Sequence, residues 1–328
     1  MSGLGVALIG CSAIAARYVT ALRGIPGIDL NWIHSRSPQR AETFAAQYGI
    51  PRYSDRIGDI LADGATSVLL IVNEPERHLE MAYPGLDAGK DILIEKPLCP
   101  DPDAAEAFQH HARNRDNLIG VMFPCRFNPV LLEMKKRVDQ CPDVPKLVAI
   151  AFTKNRDRAY YEHGTGWRKA KGAVFVNQGI HWLDVLNWFF GTPERVAALS
   201  SITRPYLDCP DVSGACIDYP GLVSAVVQGA TFGKSVHGDR FTITMPTGTI
   251  DYQTILADMG PAPGWRGRLR ALWEPGAPRP PGDLIHSPLV DFFHCVRTRG
   301  RPAVTLGDAV AALRLAHTIS NAVVTPAR

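Results

Sequence analysis

The chain contains no uninterrupted apolar run approaching the ~18 residues that a bilayer-crossing helix needs, so a membrane protein is not expected. Its cysteines offer no CxxC pair and no Cys/His spacing suited to a metal, which argues against a zinc site and against a disulfide framework. The seven of them, Cys11, Cys99, Cys125, Cys141, Cys209, Cys216 and Cys295, are odd in number and scattered, and we read them as reduced core thiols. Strong charge of either sign is missing too. Thirty-five Lys and Arg against 32 Asp and Glu leave +3, too little to imply nucleic acid without a clustered basic face. No internal repeat is present, and the only biased segment is the Pro/Gly-rich stretch from Pro261 to Gly282. Leu8-Ile9-Gly10-Cys11 resembles a lipoprotein leader, but no Lys or Arg precedes it and the apolar run is short. A cytoplasmic location is therefore expected.

What is present is enough material for two cores, since 328 residues exceed the roughly 100–200 of a single domain. Short β-type runs at Gly5–Ile9, Leu30–His34, Ser67–Val72, Asp91–Ile94 and Leu118–Phe123 alternate with helix-length segments in the first third. That rhythm predicts a parallel sheet covered by helices, and Ser37-Pro38 and Asp101-Pro102 give two of the helices a capping residue followed by proline. Beyond Phe123 the strands Leu147–Phe152, Arg195–Ser200, Val223–Phe232, Phe241–Met245 and Thr249–Tyr252 are separated by turn signals, with Gly248 as a hairpin glycine. One long helix, Gln178–Phe190, interrupts them, and helices at Pro288–Thr298 and Gly307–Ala322 close the chain. The expected fold is α/β: a Rossmann parallel sheet over residues 1–123, then an α+β domain over 124–328 built on an open, mostly antiparallel sheet.

The first strand runs into Gly10-Cys11-Ser12-Ala13-Ile14-Ala15, a variant of the GxGxxG/A fingerprint with small residues in place of the later glycines. The first Gly makes the tight turn, and small followers let backbone and helix approach a pyrophosphate, which the helix N-terminus attracts. An ordinary strand-turn-helix has the same outline; the position at the head of a strand-helix series favours the dinucleotide reading. The second strand ends Ile33-His34-Ser35-Arg36-Ser37, without the carboxylate that accepts the ribose hydroxyls of NAD. Arg36 with Ser35, Ser37 and Arg40 suits a 2′-phosphate, which favours NADP(H) over NAD(H). The alternative is a solvated turn whose arginine stacks on adenine.

Glu95-Lys96-Pro97 at the end of a strand, Arg126-Phe127-Asn128-Pro129, Trp167-Arg168 and Asn177-Gln178-Gly179-Ile180-His181 with Asp184 extend the pattern along the chain. With the fingerprint, they resemble the glucose-fructose oxidoreductase/inositol dehydrogenase/MocA family, and more closely its branch acting on nucleotide sugars and sugar acids. The resemblance implies an NAD(P)-dependent oxidoreductase acting on a secondary alcohol of a sugar-like substrate. It also implies that the second domain's sheet buries a face in a homodimer or homotetramer. Lys96 would lie between nicotinamide and substrate and His181 on the reacting hydroxyl, with a cis Lys96–Pro97 bond. Asn177 departs from the Asp of many members; it binds a hydroxyl but takes no proton, leaving acid–base work to His181 or Lys96.

Asn177, His181 and Asp184 are spaced to share one helical face, with Asp184 either orienting the imidazole or binding backbone. The expected substrate contacts are Asn177, Arg126, Tyr160, Tyr161, Trp167, Arg168 and Asp184. Arg156, Arg158, Tyr160, Tyr161 and Arg168 concentrate groups that suit a carboxylate, phosphate or sugar, or are solvated loop charges. The expected cofactor contacts are Gly10, Ser12, Ala13, Ile14, Ser35, Arg36, Arg40, Asn73, Glu95 and Lys96, with no metal. Arg266, Arg268 and Arg270 read as a solvated basic face, or as an anion contact. The competing functions are a non-catalytic dinucleotide-binding regulator and a redox-assisted elimination or glycoside cleavage with bound NAD.

Overall fold

The computed structural model describes residues 3–233, 238–258, 284–322 and 324–326. The Pro261–Gly282 stretch, with Arg266, Arg268 and Arg270, lies outside them. Contacts divide the chain into two compact units, residues 1–124 with 266–309 and residues 125–265 with 310–328.

The first unit holds strands β1 (Leu4–Ile9), β2 (Ile28–His34), β3 (Arg52–Ser54), β4 (Thr66–Ile71), β5 (Asp91–Ile94) and β6 (Ile119–Val121). They form one sheet in the order β3-β2-β1-β4-β5-β6, every pair parallel. Strand order reverses between β1 and β4, and the carboxyl ends of those two strands are where such sheets receive ligands. Residues Val68 to Ile71 of β4 and all of β5 are buried, as expected of strands covered on both faces. The helices begin where the caps predicted: Ser37 accepts the Arg40 amide, and Asp101 accepts those of Asp103 and Ala104. The core joins Leu8, Tyr18, Leu22 and Leu70 to Leu289, Phe292 and Phe293. The last three sit on the helix His286–Thr298, which sequence placed with the second domain and the fold places with the first.

The second unit holds β7 (Lys146–Thr153), β8 (Arg195–Ile202), β9 (Val212–Tyr219), β10 (Val223–Ala230), β11 (Arg240–Met245), β12 (Gly248–Asp251) and β13 (Val324–Pro326). Their order is β12-β11-β7-β10-β9-β8-β13, with only the β7–β10 and β8–β13 pairs parallel. Gly248 has φ 138° and faces Met245 across the β11–β12 turn, the hairpin role expected of it. Along β7, Lys146, Val148, Ile150 and Phe152 are buried while Leu147 and Ala149 are exposed. One face thus packs inward and the other is open among the described residues. A π-helical turn, Phe175–Gly179, leads into the long helix Ile180–Phe190. No helix among the described residues is long and apolar enough to cross a membrane.

Candidate active site

At the carboxyl edge of the parallel sheet, Gly10 adopts φ +117°, and a Cβ there would stand 2.8 Å from the Asn73 backbone. Only glycine fits the turn. Ser12 caps the helix Ala13–Leu22 by position alone, because its hydroxyl donates to the Val72 carbonyl at 3.3 Å and not back to the helix. The first turn carries no acidic residue, so its amides face outward without a competing carboxylate. Next to Gly10, Asn73 Oδ1 is a buried acceptor without a hydrogen-bond partner. A positively polarised helix end beside an orphaned acceptor fits the pyrophosphate and a ribose hydroxyl of a dinucleotide.

The end of β2 places Arg36 3.6 Å from Glu74, with 55% of its side chain exposed. Arg40 instead donates to the Cys11 carbonyl at 3.3 Å and braces the glycine turn. Glu95, expected to touch the cofactor, has both carboxylate oxygens engaged within the unit. Tyr18 donates to one at 2.5 Å and the Lys96 amide to the other at 2.9 Å. Loss of hydration raises the Glu95 carboxyl above its ordinary range, against the Lys96 charge that lowers it. Tyr18 is fully buried on the helix that starts at the glycine turn, so that helix is tied to the main chain of Lys96. The Lys96–Pro97 peptide is cis.

Sequence reasoning missed His78. Its Nδ1 lies 3.0 Å from the Pro97 carbonyl and 3.3 Å from that of Leu98, and its Nε2 3.1 Å from that of Asn73. Burial drives the imidazole down to about 4, although the three carbonyls pull the other way. The ring therefore ties the segment after β4 to the segment after Lys96. The only sequence signal was a histidine at the start of an amphipathic helix, which looks the same when solvated.

In the second unit, Asn177 sits in the π turn, 5% exposed, one turn before His181. Asp184 lies one turn further along the same helix. It is fully buried and takes a two-pronged contact from Arg126, Nε at 3.0 Å and Nη2 at 2.7 Å. Two expected substrate contacts thus partner each other. Tyr161 is 2% exposed, donating to Thr231 Oγ1 at 2.6 Å and accepting from Arg204 Nη2 at 3.0 Å; Trp167 is 4% exposed. These two brace the loop from inside rather than line an open surface.

Tyr160 is different. Its oxygen meets Asn177 Nδ2 at 2.9 Å and Gln178 Nε2 at 2.8 Å, and the guanidinium carbons of Arg156 and Arg168 stand 4.7 and 4.8 Å from its ring centre. Residues 156, 160, 168, 177 and 178 therefore form one cluster at the start of the His181 helix. Among the described residues, no group of three or more His, Cys, Asp or Glu is placed to hold a metal.

Residues 4–123 match the NAD-binding Rossmann-fold model of the Gfo/Idh/MocA oxidoreductase family, and residues 145–251 match its C-terminal domain model. The chain belongs to this family. It is an NAD-binding oxidoreductase. It is 25% identical to the scyllo-inositol 2-dehydrogenase (NAD(+)) of Bacillus subtilis over 90% of this chain and 87% of that one. Levoglucosan dehydrogenase, solved with NADH and L-sorbose, superposes with a TM-score of 0.82 at 20% identity, covering 97% and 96% of the two chains. The WlbA dehydrogenase of Bordetella pertussis, solved with NADH and UDP-GlcNAcA, gives 0.81 at 20% identity over 97% and 95%.

Proposed function

We propose that the protein catalyses reversible hydride transfer between NADP(H) and a secondary alcohol or ketone of a sugar, sugar acid or nucleotide sugar. The observation that carries this reading is the cradle of Gly10, Ser12 and Asn73, in a chain whose family couples such a cradle to oxidoreductase chemistry. The sugar and nucleotide-sugar ligands of the two structural relatives support the substrate class. The dinucleotide supplies the hydride acceptor or donor. Oxidation removes the carbinol hydrogen with its electron pair and leaves the oxygen's proton for a base within hydrogen-bond reach. His181 is that base, the unprotonated nitrogen of its neutral imidazole taking the proton. Lys96 holds the same oxygen and balances the negative charge that develops on it. Asn177, unable to take a proton, binds the substrate.

Lys96→Ala and His181→Ala are each expected to lower kcat by roughly 10²–10⁴-fold, with dinucleotide affinity nearly unchanged. Asn177→Ala should mainly raise KM. Turnover is read as a change in reduced-nicotinamide absorbance with a sugar panel. Near-normal turnover in either alanine variant would remove the assignment, and a panel without turnover would favour a regulatory dinucleotide binder. The preference for the phosphorylated dinucleotide rests on Arg36, and self-association on the open face of the second sheet.

A further inference from the structure

Cations in the second unit are mostly matched by carboxylates. Lys154 pairs with Asp239 at 2.7 Å, Arg158 with Glu162 at 2.6 Å, Arg204 with Asp211 at 2.8 Å and Arg126 with Asp184 at 2.7 Å. Arg156 and Arg168 are the exceptions in this neighbourhood: among the described residues neither has an ion-pair partner. The Nε of each is nevertheless buried and lacks a hydrogen-bond acceptor. A buried guanidinium N–H without an acceptor costs free energy, on the order of 1–3 kcal/mol, unless something supplies one.

The groups around them make the shortage worse. Arg156 Nη2 donates to Gln178 Oε1 at 3.1 Å, and a guanidinium can only donate, so the amide orientation of Gln178 is fixed. Its nitrogen must then face Tyr160, whose oxygen receives it at 2.8 Å and Asn177 Nδ2 at 2.9 Å. Both guanidiniums lie within 5 Å of the Tyr160 ring centre, so the phenol's ring serves as a common platform for the two charges. The cluster thus holds two guanidiniums with no carboxylate partner among the described residues and two amide nitrogens donating to a single phenol oxygen, so donors outnumber acceptors and both Arg Nε groups go without one. Asn177 fixes its place, four residues before His181 in the π turn that leads into the His181 helix.

We propose that Arg156 and Arg168 receive an oxyanion, a carboxylate or a phosphate carried by the substrate, so that the enzyme takes acidic sugars in preference to neutral ones. The inference rests on the hydride-transfer reading and names the substrate class for that site. An oxyanion supplies the acceptors that both Nε groups lack and balances the two charges through charge-assisted hydrogen bonds. A neutral sugar supplies hydroxyls but leaves the charge unmatched.

The test is calorimetric titration of the full-length protein, saturated with dinucleotide, using the D-aldohexoses and, for each, its uronate and its 6-phosphate. At least one acidic member is expected to bind about tenfold or more tightly than its neutral parent. The series in which it falls distinguishes carboxylate from phosphate. Arg168→Met should bring acid and parent to near parity. Arg168→Lys, which keeps the charge but loses the planar fork, should fall between. Arg156→Met should act in the same direction. Dinucleotide affinity reports that each variant remains folded. The proposal is overturned if no acid outcompetes its parent, or if Arg168→Met leaves the discrimination intact. Acid preference without dinucleotide reduction would sustain this inference and defeat the hydride-transfer reading; turnover of neutral and acidic sugars with equal affinity would do the reverse.

Discussion

Arg36 is the side chain on which the proposed preference for NADP(H) turns. It follows a strand that ends without a carboxylate, and its one ionic contact, Glu74 at 3.6 Å, is long and more than half exposed on the arginine side. Exposed pairs of that kind contribute about 0–1 kcal/mol, so a doubly charged 2′-phosphate displaces Glu74 readily. We expect NADP(H) to bind at least about tenfold more tightly than NAD(H), and Arg36→Ala to erase the difference. Titration of both dinucleotides checks it; tighter NAD(H) binding, indifferent to the substitution, would refute it. Arg40, which the sequence grouped with Arg36, holds the Cys11 carbonyl, so its substitution should disturb both dinucleotides alike. Glu95 teaches a related lesson. A carboxylate at a ligand-binding strand end looks like a ligand contact, yet Tyr18 and the Lys96 amide occupy both its oxygens, making it a support for the lysine.

Elements were legible in proportion to the strength of their pattern. β4 and β5 read clearly because burial on both faces demands near-continuous apolar residues, and the helix starts at Pro38 and Pro102 because caps are local chemistry. β3 was invisible, being the three residues Arg52-Tyr53-Ser54 with no run to detect. β9 alternates correctly but fills its inner face with Ser213, Ala215, Ile217 and Tyr219, too mixed to stand out. At the site, the helical spacing of Asn177, His181 and Asp184 could be read locally, but the guanidinium that grips Asp184 comes from Arg126, 58 residues away in sequence. Long-range pairs leave no local trace. His78 is the clearest omission, and its role as a tie between two segments has a pH signature. Its folded value near 4 lies below the ordinary 6.5, so between those values the unfolded chain binds a proton the folded chain does not. Stability attributable to His78 is therefore full above pH 6.5 and falls as pH drops toward 4, by about 3 kcal/mol over the window. Urea unfolding of wild type and His78→Gln across that range should give stabilities that converge as pH falls. Parallel curves would show that the imidazole does not titrate as burial requires.

For the whole molecule, the open face of the second sheet sets the last expectation. Leu147, Leu199 and Val226 on that face are 53%, 58% and 43% exposed, and Leu222 at a strand end is 71% exposed. Register brings several small or apolar neighbours alongside them: Val226 lies opposite Ala149 on β7 and Cys216 on β9, Cys216 opposite Ala197 on β8, and Leu199 opposite Gly214. A surface with several exposed apolar and small side chains of this kind is costly to leave in water and suits a second copy of itself, because a two-fold axis through the sheet sets the same small residues against each other. Stable association needs about 800 Å² buried on each partner, an area that a seven-stranded sheet can offer on one face. Sedimentation at micromolar concentration is expected to show a dimer or tetramer, and Leu199→Glu with Val226→Lys to shift it toward monomer while dinucleotide binding persists. Cys216, exposed on the open face and not in the core where the sequence reading put the cysteines, should react slowly with a thiol reagent in the assembly and rapidly in that variant. A wild-type protein that sediments as a monomer, with Cys216 reacting at the rate of a free thiol, would show that this face meets only solvent.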